Sequence, residues 1–405
     1  MNMRFVQLSD VCDLQNGFAF KSTDYVEKSN TCNIRMSNIR PGGSFNEFHN
    51  ERYLPDSYAK EYKDYLLNDG DLIIAMTDMA TETKILGLPT LVNNTSGRNF
   101  LLNQRVGKLC KFSKDIYVPY LRHILTAQDV IDYYKSKGAG GLQINISKKD
   151  ILSVKFPLPS LPTQKKIVEK LDAIFVEIDT ATAAAEANVN NAEALFQSYL
   201  TEVFEHEAKN NTSLLGEVCN VIGGGTPSKA NEEFYTGTIP WATVRDMNKD
   251  NLDITDYKIT EEAVRLSATN IIPSNNVVIA TRVGLGKVCI LNQDTAINQD
   301  LRGVIPKSKD ILDVNYLFLW FKFIAEKIIQ AGRGATVQGV TLPFIKSLAI
   351  PVPSLIRQQN TVVKIQLIFN NAELAKNSYV TKINELAVLK QSILQRAFSG
   401  ELVKD

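Results

Sequence analysis

The sequence predicts an α+β protein of two similar globular heads joined by two long helices, which pair as an antiparallel coiled coil with approximate two-fold symmetry. Three observations predict it. The chain repeats itself: shifting residues 157–204 by 194 positions lays Pro157-Leu158-Pro159-Ser160-Leu161 on Pro351-Val352-Pro353-Ser354-Leu355, Gln164 on Gln358, Phe175 on Phe369 and Phe204 on Phe398. Two stretches free of Gly and Pro carry apolar residues at alternating spacings of four and three, the mark of a heptad seam. Those two stretches also carry opposite charge.

The first head is expected over residues 1–156 and the second over 208–350. Upstream of the helices the offset drifts, as loop insertions require, with Leu8, Val11, Cys12 and Gly17 matching Leu215, Val218, Cys219 and Gly224, and Asn103-Gln104 matching Asn298-Gln299. A repeat of roughly 200 residues is too long for a solenoid unit, so each copy is a domain of its own. β-type runs such as Asp71-Leu72-Ile73-Ile74-Ala75-Met76 and Asn276-Val277-Val278-Ile279-Ala280 lie between Gly, Asn and Pro turn signals. Helical patterns near residues 120–134 and 316–329 interrupt them, which gives each head a mixed composition of strands and helices.

The first long helix is expected in residues 157–207, its seam at Ile167, Leu171, Ile174, Ile178, Ala181, Ala185, Ala192, Leu195 and Tyr199. The second, with a C-terminal tail, occupies 351–405, its seam at Ile365, Ile368, Ala372, Ala375, Tyr379, Leu386, Leu389 and Ile393. Pro162 marks a start and Gly400 a stop. Each runs for roughly 40 residues, on the order of 60 Å at 1.5 Å per residue. Residues 163–207 hold three lysines against nine acids, net −6, and residues 357–398 six basic residues against two acids, net +4. An acidic helix and a basic helix pair with each other better than either pairs with itself. The connector at 208–212 is short and compact domains keep their termini close, so the second helix is expected to return along the first.

With 405 residues, 44% hydrophobic and 22% charged, the chain can bury two ordinary cores without metals or disulfides. Five cysteines without a Cys-x-x-Cys spacing point to a reducing compartment and away from a zinc site; Cys12 and Cys219 occupy equivalent apolar settings and are expected in the cores. His49, His123 and His206 are too scattered for a metal site or a triad. The first residues lack a signal-peptide h-region, and the apolar stretch at 316–329 is broken by Lys322, Glu326 and Lys327, so a cytoplasmic location without a membrane span is expected.

Two similar heads at fixed separation suit a long periodic ligand, and duplex DNA has half-sites about 10 base pairs apart. Net charge does not decide the matter. The chain is +1, the first head +3 from 20 basic and 17 acidic residues, and residues 213–350 are neutral with 14 of each. Local candidates sit at matching places. The loop after the first strand offers Lys21 and Ser22 in one copy and Thr226, Ser228 and Lys229 in the other, where glycines allow close backbone approach to phosphate. Next come Arg35 and Asn38, matched by the segment holding Arg245. Thr281-Arg282 corresponds to Thr77-Asp78, and Asn103-Gln104 to Asn298-Gln299. Arginine can read guanine, and Asn or Gln can read adenine, through paired hydrogen bonds. A polar glycine-rich loop before each long helix adds Lys137, Gln143 and Asn145, and Arg333, Thr336 and Gln338. The bland alternatives are a solvated surface role for each arginine and a strand-end cap for the Asn-Gln pairs.

No enzyme motif emerges. Gly284-Leu285-Gly286-Lys287 lacks the spacing of a phosphate-binding loop, and the Asn/Asp-Pro-Pro-aromatic motif is absent. Pro55-Asp56 followed by Glu61-Tyr62-Lys63 has its acids too close together for a nuclease metal site, and neither acid has a counterpart in the other copy.

The order head, helix, head, helix, the Pro-x-Pro-Ser-Leu-x-x-Gln entrances at Pro157 and Pro351, the stretch Gly223-Gly224-Gly225-Thr226-Pro227-Ser228 and the ending Leu394-Gln395-Arg396-Ala397-Phe398-Ser399-Gly400-Glu401-Leu402 together resemble the specificity subunit of type I restriction-modification enzymes. The resemblance covers essentially the whole chain. It implies two target recognition domains, each reading one half of a bipartite asymmetric site in double-stranded DNA, and helices that set the spacer and bind two methyltransferase subunits. This chain would hold no cofactor itself: S-adenosylmethionine belongs to the methyltransferase partners, and ATP with Mg to a motor and nuclease subunit. The first copy departs from the glycine-rich opening, with Gly17-Phe18-Ala19-Phe20 in its place. The rival readings are a stand-alone DNA-binding or coiled-coil scaffold with duplicated heads, and an enzyme with an unrecognised site in one head.

Overall fold

A computed structural model describes residues 4–209, 211–333 and 339–402. The chain divides into two compact units, Met1–Ala185 with Thr381–Asp405, and Glu186–Val380, so the division falls inside both long helices.

In the first unit, Phe5–Gln7 pairs antiparallel with Lys155–Pro157 and ties together the two ends of the head. One sheet runs in the order Asp13–Asn16, Val106–Cys110, Leu72–Ala75, Pro89–Leu91, and a second in the order Tyr53–Leu54, Thr31–Ile34, Asn99–Leu102, Leu66–Leu67. Thr31–Ile34 and Asn99–Leu102 are parallel. The uninterrupted apolar run Leu72–Ala75 follows from its position between two cores. Leu72 and Ile74 point into the core shared with the helices, while Ile73 and Ala75 point into a core beneath the second sheet.

The second unit repeats this plan. Thr212–Leu214 pairs with Ala349–Pro351, a sheet runs Cys219–Gly223, Leu301–Pro306, Val277–Ala280, Val288–Leu291, Asn251–Leu252, and another runs Tyr257–Ile259, Ile239–Ala242, Thr295–Ile297, Asn270–Ile272. Ile239–Ala242 and Thr295–Ile297 form the corresponding parallel pair. Val277 and Ile279 face one core, Val278 and Ala280 the other. The duplication seen in sequence is therefore a duplication of strand order, pairing direction and core assignment in the shared strands, while Asn251–Leu252 adds a fifth, parallel strand to the sheet of the second unit.

The long helices span Leu161–Ala208 and Leu355–Phe398, 48 and 44 residues, somewhat longer than the seam alone indicates. The second stops where Gly400 takes φ +86° and the Glu401 N–H donates to the Arg396 carbonyl at 3.0 Å, a Schellman ending. Their antiparallel pairing is visible within each unit. In the first, Lys390 contacts Asp179 at 2.8 Å and Lys170 donates to the Leu402 carbonyl at 3.1 Å; in the second, Lys376 contacts Glu193 and Arg357 contacts Glu207 at 2.9 Å. Rising numbers on one helix meet falling numbers on the other, and acids on the first meet bases on the second.

The seam departs from expectation at one equivalent pair. Leu195 and Leu389 are 60% and 46% exposed, while Phe196 is buried and its counterpart Lys390 is half-buried. An α-helix drifts about 20° per heptad against a strict seven-residue repeat, which carries the inward face on by one residue. The helix ends also do more than face each other. Ile167, Leu171, Phe175, Leu394 and Ala397 belong to the core of the first head, and Phe196, Leu200, Phe204 and Ile365 to that of the second.

Cys12 and Cys219 lie in these cores, and burial pushes both thiols up to about 12. Among the described residues no helix is long and apolar enough to cross a membrane.

Candidate nucleic-acid interface

In each head the sequence-predicted loops converge on the Asn-Gln turn. In the first head the Asn103 N–H donates to the Ile34 carbonyl at 3.0 Å, the Phe18 N–H to Leu102 at 2.9 Å, the Gln104 N–H to Phe18 at 2.9 Å, and the Met76 N–H to Arg105 at 2.9 Å. In the second head the Asn298 N–H donates to Ala242 at 3.0 Å, the Gly225 N–H to Ile297 at 3.0 Å, and the Thr281 N–H to Asp300 at 2.8 Å. Glycine is required at the entrance to each hub. A Cβ on Gly17 would collide with the Asn103 carbonyl, and one on Gly224 with the Asn298 carbonyl.

This register corrects one sequence correspondence. The N–H groups of Met76 and Thr281 bond equivalent carbonyls, so Thr77 matches Arg282 and Asp78 matches Val283. The shared threonine suggested a pairing one residue off, whereas the long-range ladder sets the true one.

The candidates separate by exposure. Lys21, Ser22, Gln104, Lys137, Asn145, Ser228, Lys229, Arg245, Arg282, Gln299 and Arg333 are exposed, and Arg35, Gln143 and Thr226 are half-buried. Asn38, Thr77, Asn103, Thr281 and Asn298 are buried, and they hold loops in shape instead of presenting side chains outward. Asn38 accepts from the Arg35 N–H and donates to the carbonyls of Asn46 and His49. Thr77 donates to the Asn145 side chain at 2.7 Å, and Thr281 to the Asp300 carbonyl at 3.1 Å. Asn103 and Asn298 accept from the N–H two residues on, at 3.2 and 3.1 Å, which makes each an Asx turn. Each Asn-Gln pair thus divides its labour: the asparagine caps the strand end and the glutamine faces out. Thr336 and Gln338 lie outside the described residues.

The second head gathers Thr226, Lys229, Arg245, Asn298 and Gln299 around a cleft of about 560 Å³, together with Glu232, Tyr235, Trp241, Thr243, Tyr257, Val283 and Asp300. The Thr226 hydroxyl donates to the Gln299 side-chain oxygen, and Arg302 donates to the Gln299 carbonyl at 2.9 Å. Burial lowers the pKa of the Arg302 guanidinium, and the neighbouring Arg282 cation adds to the effect. Trp241 donates through Nε1 to the Gly225 carbonyl at 3.2 Å, which ties the glycine loop to the edge of the indole. Sequence reasoning assigned no role to Arg302 or the aromatic residues; Trp241, one of only two tryptophans and the first residue of the segment holding Arg245, was the available signal.

The corresponding loop in the first head is spaced by rings. Phe18 and Phe20 are 5.0 Å apart and lie 4.6 and 5.2 Å from Tyr62. Arg35 donates to the Asn50 carbonyl at 3.0 Å, and burial depresses its pKa. Asp56, from the nuclease-like spacing, accepts from the Asn30 N–H and the Thr31 hydroxyl, each at 2.9 Å, and so caps a strand.

A family model described as the Type I restriction modification DNA specificity domain matches the chain twice, over residues 1–189 and 207–385. The chain is similar to the Type I restriction enzyme EcoR124I/EcoR124II specificity subunit of Escherichia coli, 33% identical over 51% of this chain and 52% of that one, so the match spans about half the length of the relative. It is also similar to the Type I restriction enzyme EcoBI specificity subunit of Escherichia coli, 22% identical over 98% of this chain and 85% of that one. Among solved structures, a chain from work on complex assembly and conformational transition of the type I R-M system covers 98% of both chains with a TM-score of 0.75 at 19% identity. The HsdS subunit from Thermoanaerobacter tengcongensis covers 98% of this chain and 97% of that one with a TM-score of 0.56 at 20% identity. These structural likenesses concern the fold.

Proposed function

Since this chain belongs to the type I restriction-modification specificity family, we propose that it is the DNA-reading subunit of a type I restriction-modification complex, each head contacting one half of a bipartite, asymmetric site. The observation that carries the reading is the repeated hub. Equivalent sheets bring equivalent loops to an Asn-Gln turn, while the side chains those loops expose differ between heads. One scaffold with two sets of outward groups suits two different half-sites.

The contacting set in this proposal is the exposed one. Lys21, Lys137, Ser228, Lys229 and Arg333 suit phosphates, and Gln104, Arg245, Arg282 and Gln299 suit base edges. The long helices dock two methyltransferase subunits. Ile356, Val363, Leu367 and Leu374 support this, because they leave an exposed apolar row at heptad spacing on the second helix. S-adenosylmethionine is bound by those subunits, and ATP with Mg by motor and nuclease subunits. This chain contributes recognition and no catalytic group, and it works in the cytoplasm. The scaffold alternative is not favoured, because both heads match a DNA specificity domain.

The test is methyl transfer. Pure chain with DNA and labelled S-adenosylmethionine gives none, and adding methyltransferase subunits that assemble with it gives methylation at one bipartite sequence. Robust transfer by the pure chain overturns the proposal.

A further inference from the structure

The cleft of the second head has a floor that edge recognition of a stacked duplex does not call for. Trp241 is 4% exposed and forms that floor, while Tyr257 beside it is 48% exposed. The Trp241 and Tyr235 rings meet Tyr257 edge-on, at centroid distances of 6.2 and 6.4 Å and angles of 71° and 74°. Tyr235 and Trp241 are themselves 5.8 Å apart, so both brace Tyr257 from one side, and the half-exposed ring lines the cleft. Base pairs within a duplex offer only their edges in the grooves, and their π-faces are covered by neighbouring pairs. An aromatic wall in a concavity gains from a partner with a free face, as in the stacking sites that hold unpaired bases. The cleft, of about 560 Å³, lies within the roughly 300–1,000 Å³ span of small-ligand sites. Arg245 and Lys229 at its lip supply cations for the attached phosphates, and Gln299 supplies donors and acceptors for a base edge.

The first head is an internal contrast. Ala242 and Ile34 each pair with the residue that precedes the hub asparagine, so Trp241 corresponds to Asn33, and its strand partner Tyr257 to Arg52. A buried amide and an arginine stand where the second head has two rings.

We infer that the second head takes up one nucleobase unstacked from its half-site, seated against Tyr257 in the Trp241 cleft, while the first head does not. The inference rests on the DNA-reading function proposed above and adds to it a local deformation of the DNA on one side of the site. Uptake makes recognition in this half depend on how readily that base leaves the stack, as well as on its hydrogen-bonding edge.

Photocrosslinking of the full chain, assembled with its methyltransferase subunits, tests it. Each pyrimidine of both half-sites is replaced singly by 5-iodouracil or 5-iodocytosine, the complex is irradiated, and attached peptides are mapped by mass spectrometry. The expected result is one position in the second half-site that attaches to Tyr257 or Trp241, with yield reduced at least five-fold by Arg245→Ala. No position of the first half-site attaches at Asn33 or Arg52. Tyr257→Ala, at a half-exposed residue, moves the attachment out of the cleft. Normal methylation with no attachment inside the cleft overturns the inference and leaves the DNA-reading function standing. Absence of any methylation overturns that function and this inference with it.

Discussion

The side-chain oxygen of Gln358, the fourth residue of a long helix, accepts the backbone N–H of Asp313 at 2.9 Å, and Asp313 itself caps the head helix Val314–Phe323 by accepting from the Tyr316 N–H. The Gln358 amide donates to the Ile311 and Pro353 carbonyls at 2.7 and 2.8 Å. Gln164 repeats this in the first unit, accepting from Tyr117 at 2.8 Å and donating to Asp115 and Pro159, each at 2.8 Å. Both side chains are fully buried. The glutamine of the Pro-x-Pro-Ser-Leu-x-x-Gln signature is thus a joint that locks the start of a head helix to the start of a long one.

Replacing Gln358 by Leu keeps the volume but strands one N–H and two carbonyls. At about 1 to 3 kcal/mol per unsatisfied buried group, the loss is on the order of 3 kcal/mol. Both tryptophans, Trp241 and Trp320, lie in the second unit, so urea unfolding followed by their emission reports it directly. An unchanged midpoint contradicts the assignment.

Gly224→Ala places a methyl group against the Asn298 carbonyl, and neither side is a flexible side-chain end. The backbone must shift, at a cost of roughly 1 to 3 kcal/mol. Methylation at the complete site falls because the loop bearing Thr226 and Lys229 leaves the hub. The measurement is methylation rate beside a thermal melt, and the rate is expected to fall more than the melting temperature accounts for.

His123 is buried against the first long helix, with Nε2 2.8 Å from the Asp172 carboxylate and its ring edge-on to Phe175. Burial outweighs the carboxylate and lowers its pKa below the ordinary 6.5. The unfolded chain therefore takes up the proton more readily than the folded one. The stability contribution is complete above 6.5 and is lost as pH falls through that value toward the folded pKa. Amide protection in the helix Val118–Leu125, taken relative to the intrinsic exchange rate at each pH, is expected to fall between about pH 7 and 5, and His123→Gln to flatten that dependence.

Much of this architecture is legible in the sequence because it is local or repeated. The heptads, the opposed helix charges and the Gln164/Gln358 correspondence need no knowledge of distant contacts. What escaped depends on them. The match of Thr77 with Arg282 is set by a ladder reaching residues 105 and 300, and the inward turn from Leu195 to Phe196 by helical drift accumulated along the seam. The embedding of Phe204 in the second head's core needs the fold itself. At the candidate interface, residue type identified Arg245, Gln299 and Lys229 as outward groups. It could not separate Gln104 from Asn103, since only the Asx turn shows that the asparagine is already engaged.

In the proposed function, two heads on one scaffold read two half-sites independently. The direct measurement is a genome-wide map of methylated positions in cells carrying the complete system, before and after residues 1–156 are replaced by the corresponding head of a relative. One half of the recognised sequence is expected to change and the other half to be retained. A change in both halves, or in neither, contradicts independent reading.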